Sequence, residues 1–100
     1  MIEAIENIRD YVENMSFEAF CSDRKTVDAV NRNLEIVGEA ANRIPEEIKN
    51  KYSEIEWAKI VGLRNIIIHQ YDNVDLEIIW DIVQDKLFQL DTQIKAMLKD

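Results

Sequence analysis

Hydrophobic residues recur three or four positions apart along most of the chain, with polar residues between them. This spacing places apolar side chains on one face of an α-helix. The predicted elements are a helix from Met1 to Met15, a short turn capped by Ser16, a long helix capped by Ser22 or Asp23 and ending near Arg43, a short helix from Glu46 to Lys51, a helix from Trp57 to Tyr71, and a last helix capped by Asp75. The pattern therefore predicts an all-α, up-and-down bundle of about five helices.

Composition supports a single helical domain over residues 1–100, because the chain has only two glycines, one proline and 47% hydrophobic residues. The first residues lack the basic start and apolar run of a secretory signal, and no apolar stretch is long enough to span a bilayer. We therefore expect a cytoplasmic protein that has no membrane partner. Cys21 is the only cysteine, so we interpret it as a small, half-buried apolar residue.

The formal net charge of −8 argues against non-specific affinity for DNA or RNA, because such binding depends on neutralising phosphates. A local basic cleft can still coexist with an acidic exterior. The residues available to form one are Arg9, Arg24, Lys25, Arg32, Arg43 and Arg64. Charge alone therefore leaves a nucleic-acid site possible but confines it to a small part of the surface.

The predicted helix from Trp57 to Tyr71 combines an arginine, Arg64, and the only histidine, His69, with a mostly apolar sequence. Its apolar residues extend round most of the helix, so we expect it to be largely buried, with Trp57 anchoring its start. An unpaired buried charge is costly. The polar side chains are therefore expected either to pair with acids from another helix or to open onto a water-filled cleft.

Helical geometry places Gly62, Asn65 and His69 on one side of this helix, where Gly62 would leave a notch. The side chain of Arg64 is long enough to swing toward the imidazole of His69. Histidine exchanges protons near neutral pH, and a guanidinium offers several donors to a phosphate. This combination suits phosphate chemistry, with Asn65 positioning the ring or contacting the substrate. No metal site is predicted, because a single histidine supplies too few ligands.

The long second helix carries two acids, Glu35 and Glu39, on the same side as Arg32. One interpretation is a solvated row of ion pairs. The other is that Glu35 or Glu39 reaches Arg64 or His69 and supports it. Gly38, next to Glu39, is expected to let another helix pack closely.

Three stretches together resemble the HepT-like branch of the HEPN domains. The first is R-x-x-x-x-H-x-Y at residues 64–71, preceded by Ile-Val-Gly-Leu at residues 60–63. The second is N-L-E-I-V-G-E-A-A at residues 33–41, which is similar to the family's first long core helix. The third, at residues 74–80, is similar to its last helix. The resemblance implies a dimeric helical bundle with the two motifs close to the two-fold cleft.

The resemblance also implies a toxin of a toxin–antitoxin pair that cuts RNA, either tRNA or mRNA, without a metal ion or other cofactor. His69 would be the general acid or base, and Arg64 would hold the phosphate. One histidine does not comfortably serve both proton transfers, so a second copy from a dimer partner, or a water molecule, is implied.

Tyr71 has three interpretations. Its ring closes the end of the helix, it stacks on a nucleobase, or it is modified. The resemblance favours modification, because HepT-like toxins are associated with a minimal nucleotidyltransferase antitoxin that adds AMP to the tyrosine of the motif. Added nucleotides would place bulk and negative charge beside Arg64 and His69, which would block RNA.

Two alternatives to the nuclease hypothesis stay open. The chain could be a catalytically inactive module that docks a nucleotidyltransferase or a nucleotide, and Gln70 after His69 removes an acid that relatives often have there. It could also be a purely structural four-helix dimer. In that case loss of Arg64 or His69 would destabilise the fold, whereas loss of a catalytic residue usually does not.

Overall fold

The computed structural model describes residues 1–68 and 76–99, and most of these residues are helical. In chain order the elements are α1 (Ile2–Val12), α2 (Phe17–Ser22), α3 (Arg24–Asn42), α4 (Glu46–Lys51), α5 (Trp57–Val61), α6 (Leu63–Ile68), α7 (Leu76–Asp81), a π-helical turn (Ile82–Lys86) and α8 (Leu87–Lys99). Helix α7, the π turn and α8 follow one another directly and form one long last helix. The predicted all-α bundle is confirmed.

The helix starts follow the predicted caps. The hydroxyl of Ser16 accepts a hydrogen bond from the Ala19 amide at 3.1 Å, and this begins α2. The carboxylate of Asp23 accepts one from the Thr26 amide, also at 3.1 Å, and this begins α3. Hydrogen bonding to Thr26 holds the pKa of Asp23 below its usual value. The predicted cap of the last helix, Asp75, lies outside the described residues.

Helix α1 ends at Val12, three residues before the predicted end at Met15. Asn14 follows with a φ of 62°, in the left-handed region that asparagine tolerates better than most residues. The Met15 amide still donates to the Val12 carbonyl at 2.9 Å. Hydrophobic spacing did not indicate this stop, because Met15 keeps the apolar pattern although the backbone has left the helix.

Helix α3 is the centre of the bundle. It packs against α1 on one side and against α5 and α6 on the other, while α8 contacts α1 and α7 contacts α2. The largest side chains with almost no exposed surface are Phe20, Ile5, Ile8, Leu34, Ile79, Leu87, Val30 and Val37. All the long helices contribute to this core. Helices α5 and α6 are held in place by their contact with α3.

A polar cluster joins α1 to α8. The guanidinium of Arg9 donates to Oδ2 of Asp91 at 3.1 Å and lies 5.2 Å from the centre of the Phe88 ring. Lys95 contacts the same carboxylate oxygen at 3.0 Å. Asp91 is only 4% exposed, so these two cations compensate a charge that is almost fully buried.

Within the described part of the chain, no helix combines the length and the apolar character that crossing a membrane requires.

Candidate functional site

The helix that carries the motif is interrupted at Gly62, which separates α5 from α6. The Gly62 amide donates to the Ala58 carbonyl at 3.0 Å, and its own carbonyl accepts from the Asn65 amide at 3.0 Å. Hydrogen bonding therefore continues across Gly62, and the Ile66 amide also donates to the Gly62 carbonyl at 3.2 Å. The predicted end of this helix at Tyr71 lies outside the described residues.

Trp57 anchors the start of α5, as the sequence predicts. Its side chain is buried, and its indole N–H donates to the Tyr52 carbonyl at 3.1 Å. A buried indole needs such a partner. This contact fixes where the motif helix begins relative to the loop after α4.

The expectation of a largely buried motif helix is wrong for α6. Leu63 and Ile67, four residues apart, are buried against the core, whereas Arg64, Asn65 and Ile66 are exposed. The reason is that α3 covers only one face of α6 in this chain. The apolar character of Ile66 predicted burial, yet the structure leaves its side chain 38% exposed.

Gly38 of α3 lies directly against the motif helix. A Cβ atom at this position would be 3.2 Å from the Ile60 carbonyl oxygen and 3.5 Å from the Arg64 amide nitrogen. The first distance is shorter than ordinary van der Waals contact. The predicted close approach of another helix at Gly38 is therefore confirmed, and it holds the backbone of Arg64 against α3.

The acids of α3 do not pair with Arg64. Glu35 contacts Arg32 of the same helix at 3.6 Å, and neither Glu35 nor Glu39 forms an ion pair with Arg64. Arg64 makes no ion pair or side-chain hydrogen bond to residues 1–68 or 76–99. Glu35 pairs with Arg32 along α3, as the interpretation of a row of ion pairs predicts, and no described residue forms an ion pair with the guanidinium of Arg64.

The other two residues of the motif, His69 and Tyr71, lie outside the described residues, as does Gln70. The structure places Arg64 and Asn65 side by side on the exposed face of α6. Their proximity to His69 stays a prediction from helix periodicity.

A groove runs between the motif helix and the last helix; we call it the α6–α8 groove. Its volume is about 360 Å³. Its apolar lining consists of Ile60, Leu63, Ile66, Ile82, Leu87 and Leu90. Gly62 contributes to one wall, together with Leu63 and Ile66, whereas Asn65, predicted to share a side of the helix with Gly62, does not line the groove. Hydrophobic spacing along the sequence did not indicate the opposite wall.

The rim of the groove is polar. It carries Glu56 and Lys59 on one side and Lys86, Gln89 and Gln93 on the other. Lys59 contacts the Glu56 carboxylate at 2.6 Å and thereby lowers its pKa, and the positive charge of Lys86 lowers it further. Two lysines and one glutamate leave this rim with a net positive charge on a chain whose total charge is −8.

Comparison with known proteins matches residues 1–97 to the family described as "Ribonuclease HepT-like". A "Putative RNase" of Methanocaldococcus jannaschii is 39% identical over 100 residues, which cover 100% of this chain and 83% of the relative. A "Probable ribonuclease HepT" of Thermococcus cleftensis is 37% identical over 97 residues, covering 97% and 88%. No solved structure matches.

Proposed function

The chain belongs to the HepT-like ribonuclease family, and we propose that it is an endoribonuclease that cuts RNA without a metal ion. The proposal rests on the exposure of Arg64 and on its ionic contacts. Its side chain is exposed, and it has no ionic partner among residues 1–68 and 76–99. An exposed guanidinium that pairs with none of these residues can bind an external anion, and a phosphate in an RNA strand matches its geometry.

The proposed reaction is an internal transfer within the RNA. The 2′-oxygen loses its proton and bonds to the neighbouring phosphorus, and the bond from phosphorus to the 5′-oxygen breaks as that oxygen gains a proton. Arg64 stabilises the additional negative charge on the phosphate oxygens. His69 transfers one of the two protons. Asn65, exposed next to Arg64, positions the ring or binds the RNA.

The second proton transfer requires another group. We propose that a second copy of the chain supplies it, in a homodimer whose two motifs face a shared cleft. Glu35 and Glu39 are proposed as supporting residues for His69 in place of Arg64, because neither acid pairs with Arg64. Raising the basicity of an imidazole by a nearby carboxylate is the chemistry expected of them.

We further propose that the protein is the toxin of a toxin–antitoxin pair. A minimal nucleotidyltransferase antitoxin would add AMP to the hydroxyl of Tyr71, forming a bond to the α-phosphate of ATP and releasing pyrophosphate. Tyr71 follows His69 by two residues. The added phosphate would repel the RNA phosphate that Arg64 binds.

The test is cleavage of labelled tRNA and mRNA in EDTA by the wild type, His69→Ala and Tyr71→Phe, with circular dichroism to establish that all three are folded. We expect the wild type and Tyr71→Phe to cut RNA and His69→Ala to lose the activity. Incubation with the nucleotidyltransferase and ATP should add AMP to the wild type but not to Tyr71→Phe, as read by mass spectrometry of the peptide.

Failure of the folded, unmodified wild type to cut either RNA would contradict the nuclease proposal. The alternative is then a catalytically inactive module that docks a nucleotidyltransferase or a nucleotide. Cutting that EDTA abolishes would instead contradict metal independence alone.

A further inference from the structure

The α6–α8 groove is built where both of its helices depart from regular α-helical geometry. On one wall the motif helix is interrupted at Gly62, and on the other the last helix has a π-helical turn from Ile82 to Lys86. Gly62, Ile82 and Lys86 all line the groove. A π turn within an α-helix is uncommon and frequently marks a functional site. The π turn therefore marks the groove as a candidate functional site.

The size and lining of the groove suit a small planar ligand. A volume of about 360 Å³ falls within the range of ligand pockets in proteins, which are mostly apolar and carry a few polar groups. The exposed apolar lining is much smaller than the roughly 800 Å² per subunit that a stable protein interface buries. A second protein chain would therefore need additional surface, whereas a whole nucleotide, with its base, ribose and phosphate, is small enough for the groove.

The polar rim matches the chemistry of a nucleotide. Lys86, Gln89 and Gln93 lie along one side of the last helix, about one turn apart. A lysine ammonium binds a phosphate, and a glutamine amide offers both a donor and an acceptor to the edge of a base. Gln93 donates one hydrogen bond to the Glu54 carbonyl at 3.4 Å, which orients its amide.

Leu63 and Ile66, which precede and follow Arg64 on α6, both line the groove, whereas Arg64 itself does not. On an ideal helix Arg64 lies about 100° round the axis from Leu63, so it occupies another face of α6. An RNA strand whose phosphate contacts Arg64 would therefore pass round α6 to place a nearby nucleotide in the groove.

We propose that the α6–α8 groove binds a nucleotide of the RNA strand whose phosphate Arg64 holds, with the base on the apolar lining and a phosphate at Lys86. The proposal rests on the proposed ribonuclease function. It assigns to Ile66, Gln89 and Lys86 the choice of a base near the cut.

The first test is independent of cutting. The wild type, labelled at its isoleucine methyl groups, is titrated with AMP, GMP, CMP and UMP in turn, and with inorganic phosphate as a control. The methyl signals of Ile66 and Ile82 should shift saturably with at least one nucleotide, because a base ring alters the local magnetic field. Ile48 and Ile78 are exposed and do not line the groove, so their signals should not move.

Two matched pairs of variants locate the effect. Ile66→Glu places a carboxylate in the groove, while Ile78→Glu makes the same change at an exposed isoleucine outside it. Lys86→Gln removes one of the two cations of the rim, and Lys99→Gln removes a cation at the far end of α8. We expect the first member of each pair to weaken nucleotide binding by about tenfold, and the second to leave it unchanged.

Absence of a saturable shift at Ile66 and Ile82 would overturn the proposal, as would an equal shift at Ile78. Shifts at Ile66 and Ile82 that appear on changing protein concentration alone would also overturn it, because a second copy then fills the groove. If Ile66→Glu cuts RNA with the same KM and at the same positions as the wild type, the groove proposal is contradicted and the ribonuclease proposal is not. Nucleotide binding without any RNA cutting would contradict the proposed ribonuclease function and support only a nucleotide-binding site.

Discussion

Two arginines on different helices, Arg9 on α1 and Arg64 on α6, have opposite surroundings. Arg9 donates to the buried carboxylate of Asp91 at 3.1 Å and packs over the Phe88 ring, so its side chain is part of the contact between α1 and α8. Arg64 is exposed on α6 and has no such partner among residues 1–68 and 76–99. Both residues occur in helices with apolar neighbours.

The difference between Arg9 and Arg64 separates a structural role from a functional one. A charge that compensates a buried group contributes to the free energy of unfolding, whereas an exposed charge without a partner contributes little. Loss of Arg9 should therefore reduce stability, and loss of Arg64 should reduce activity. Four predictions follow in order of decreasing effect, and those for Arg64 and Arg9 test this separation directly.

Arg64→Ala should reduce RNA cleavage by about 10²–10³-fold, as expected for loss of a group that stabilises a transition-state charge. Its free energy of unfolding should change by less than about 0.5 kcal/mol, because the side chain is exposed. Single-turnover cleavage and urea unfolding measure the two quantities. The control is Arg43→Ala, an exposed arginine at the end of α3, which should preserve both. A strongly destabilised Arg64→Ala would instead support the structural alternative.

Gly38→Leu should lower the free energy of unfolding by about 1–3 kcal/mol, because its side chain would push α6 away from α3. Ala40→Leu is the matched control on the same helix, where the residue lines an open hollow beside Met1 and Ile94. Chemical denaturation compares the two variants. Equal destabilisation by both would show that the close approach at Gly38 has no special importance.

Arg9→Ala should lower the free energy of unfolding by about 1–2 kcal/mol, because the Asp91 carboxylate loses one of its two cations. Lys95 remains as a partner, so the loss should be smaller than for a carboxylate left alone. RNA cleavage by the folded fraction should be unchanged. Loss of cleavage in a fully folded Arg9→Ala would erase the distinction between the two arginines.

The smallest effect concerns Glu56 on the rim of the α6–α8 groove. The Lys59 ammonium holds the pKa of this exposed carboxyl below its usual value. The ion pair therefore stabilises the fold above the pKa that Glu56 has in the unfolded chain, and this contribution is lost as the pH falls through the lower folded pKa. Lys59→Met should raise the pKa of Glu56 in an NMR titration. An unchanged pKa would mean that Lys59 is not its cause.

Much of the fold follows from local signals in the sequence. Ser16 and Asp23 mark helix starts because their side chains accept hydrogen bonds from amides three residues later. Gly38 was predicted as a point of close packing because a glycine within a long helix is otherwise unfavourable. These residues could be interpreted without knowing which helices lie opposite one another.

The surroundings of the site residues depend on how the helices pack against one another. Hydrophobic periodicity in the sequence does not report this packing. Ile66 is apolar but exposed, because α3 covers only the side of α6 that carries Leu63 and Ile67. Glu35 pairs within its own helix, although its spacing equally allowed a contact with Arg64. The groove has one wall from the motif helix and one from the last helix, so neither stretch alone indicated it. Arg64 and His69 were identified by their order in the motif, and the role of each stays a prediction.

The π-helical turn between Ile82 and Lys86 bears on how the length of the chain can vary. A turn with i→i+5 hydrogen bonds holds more residues than an α-helical turn, so it corresponds to a residue inserted into an otherwise regular helix. Deleting one residue there would restore an ordinary turn without rotating α8 away from α1. The same deletion elsewhere in the helix would rotate α8 by about 100° and bring polar residues into the core. Loss of a residue in this turn is therefore the length change that the fold should accommodate best, although it would reshape one wall of the groove.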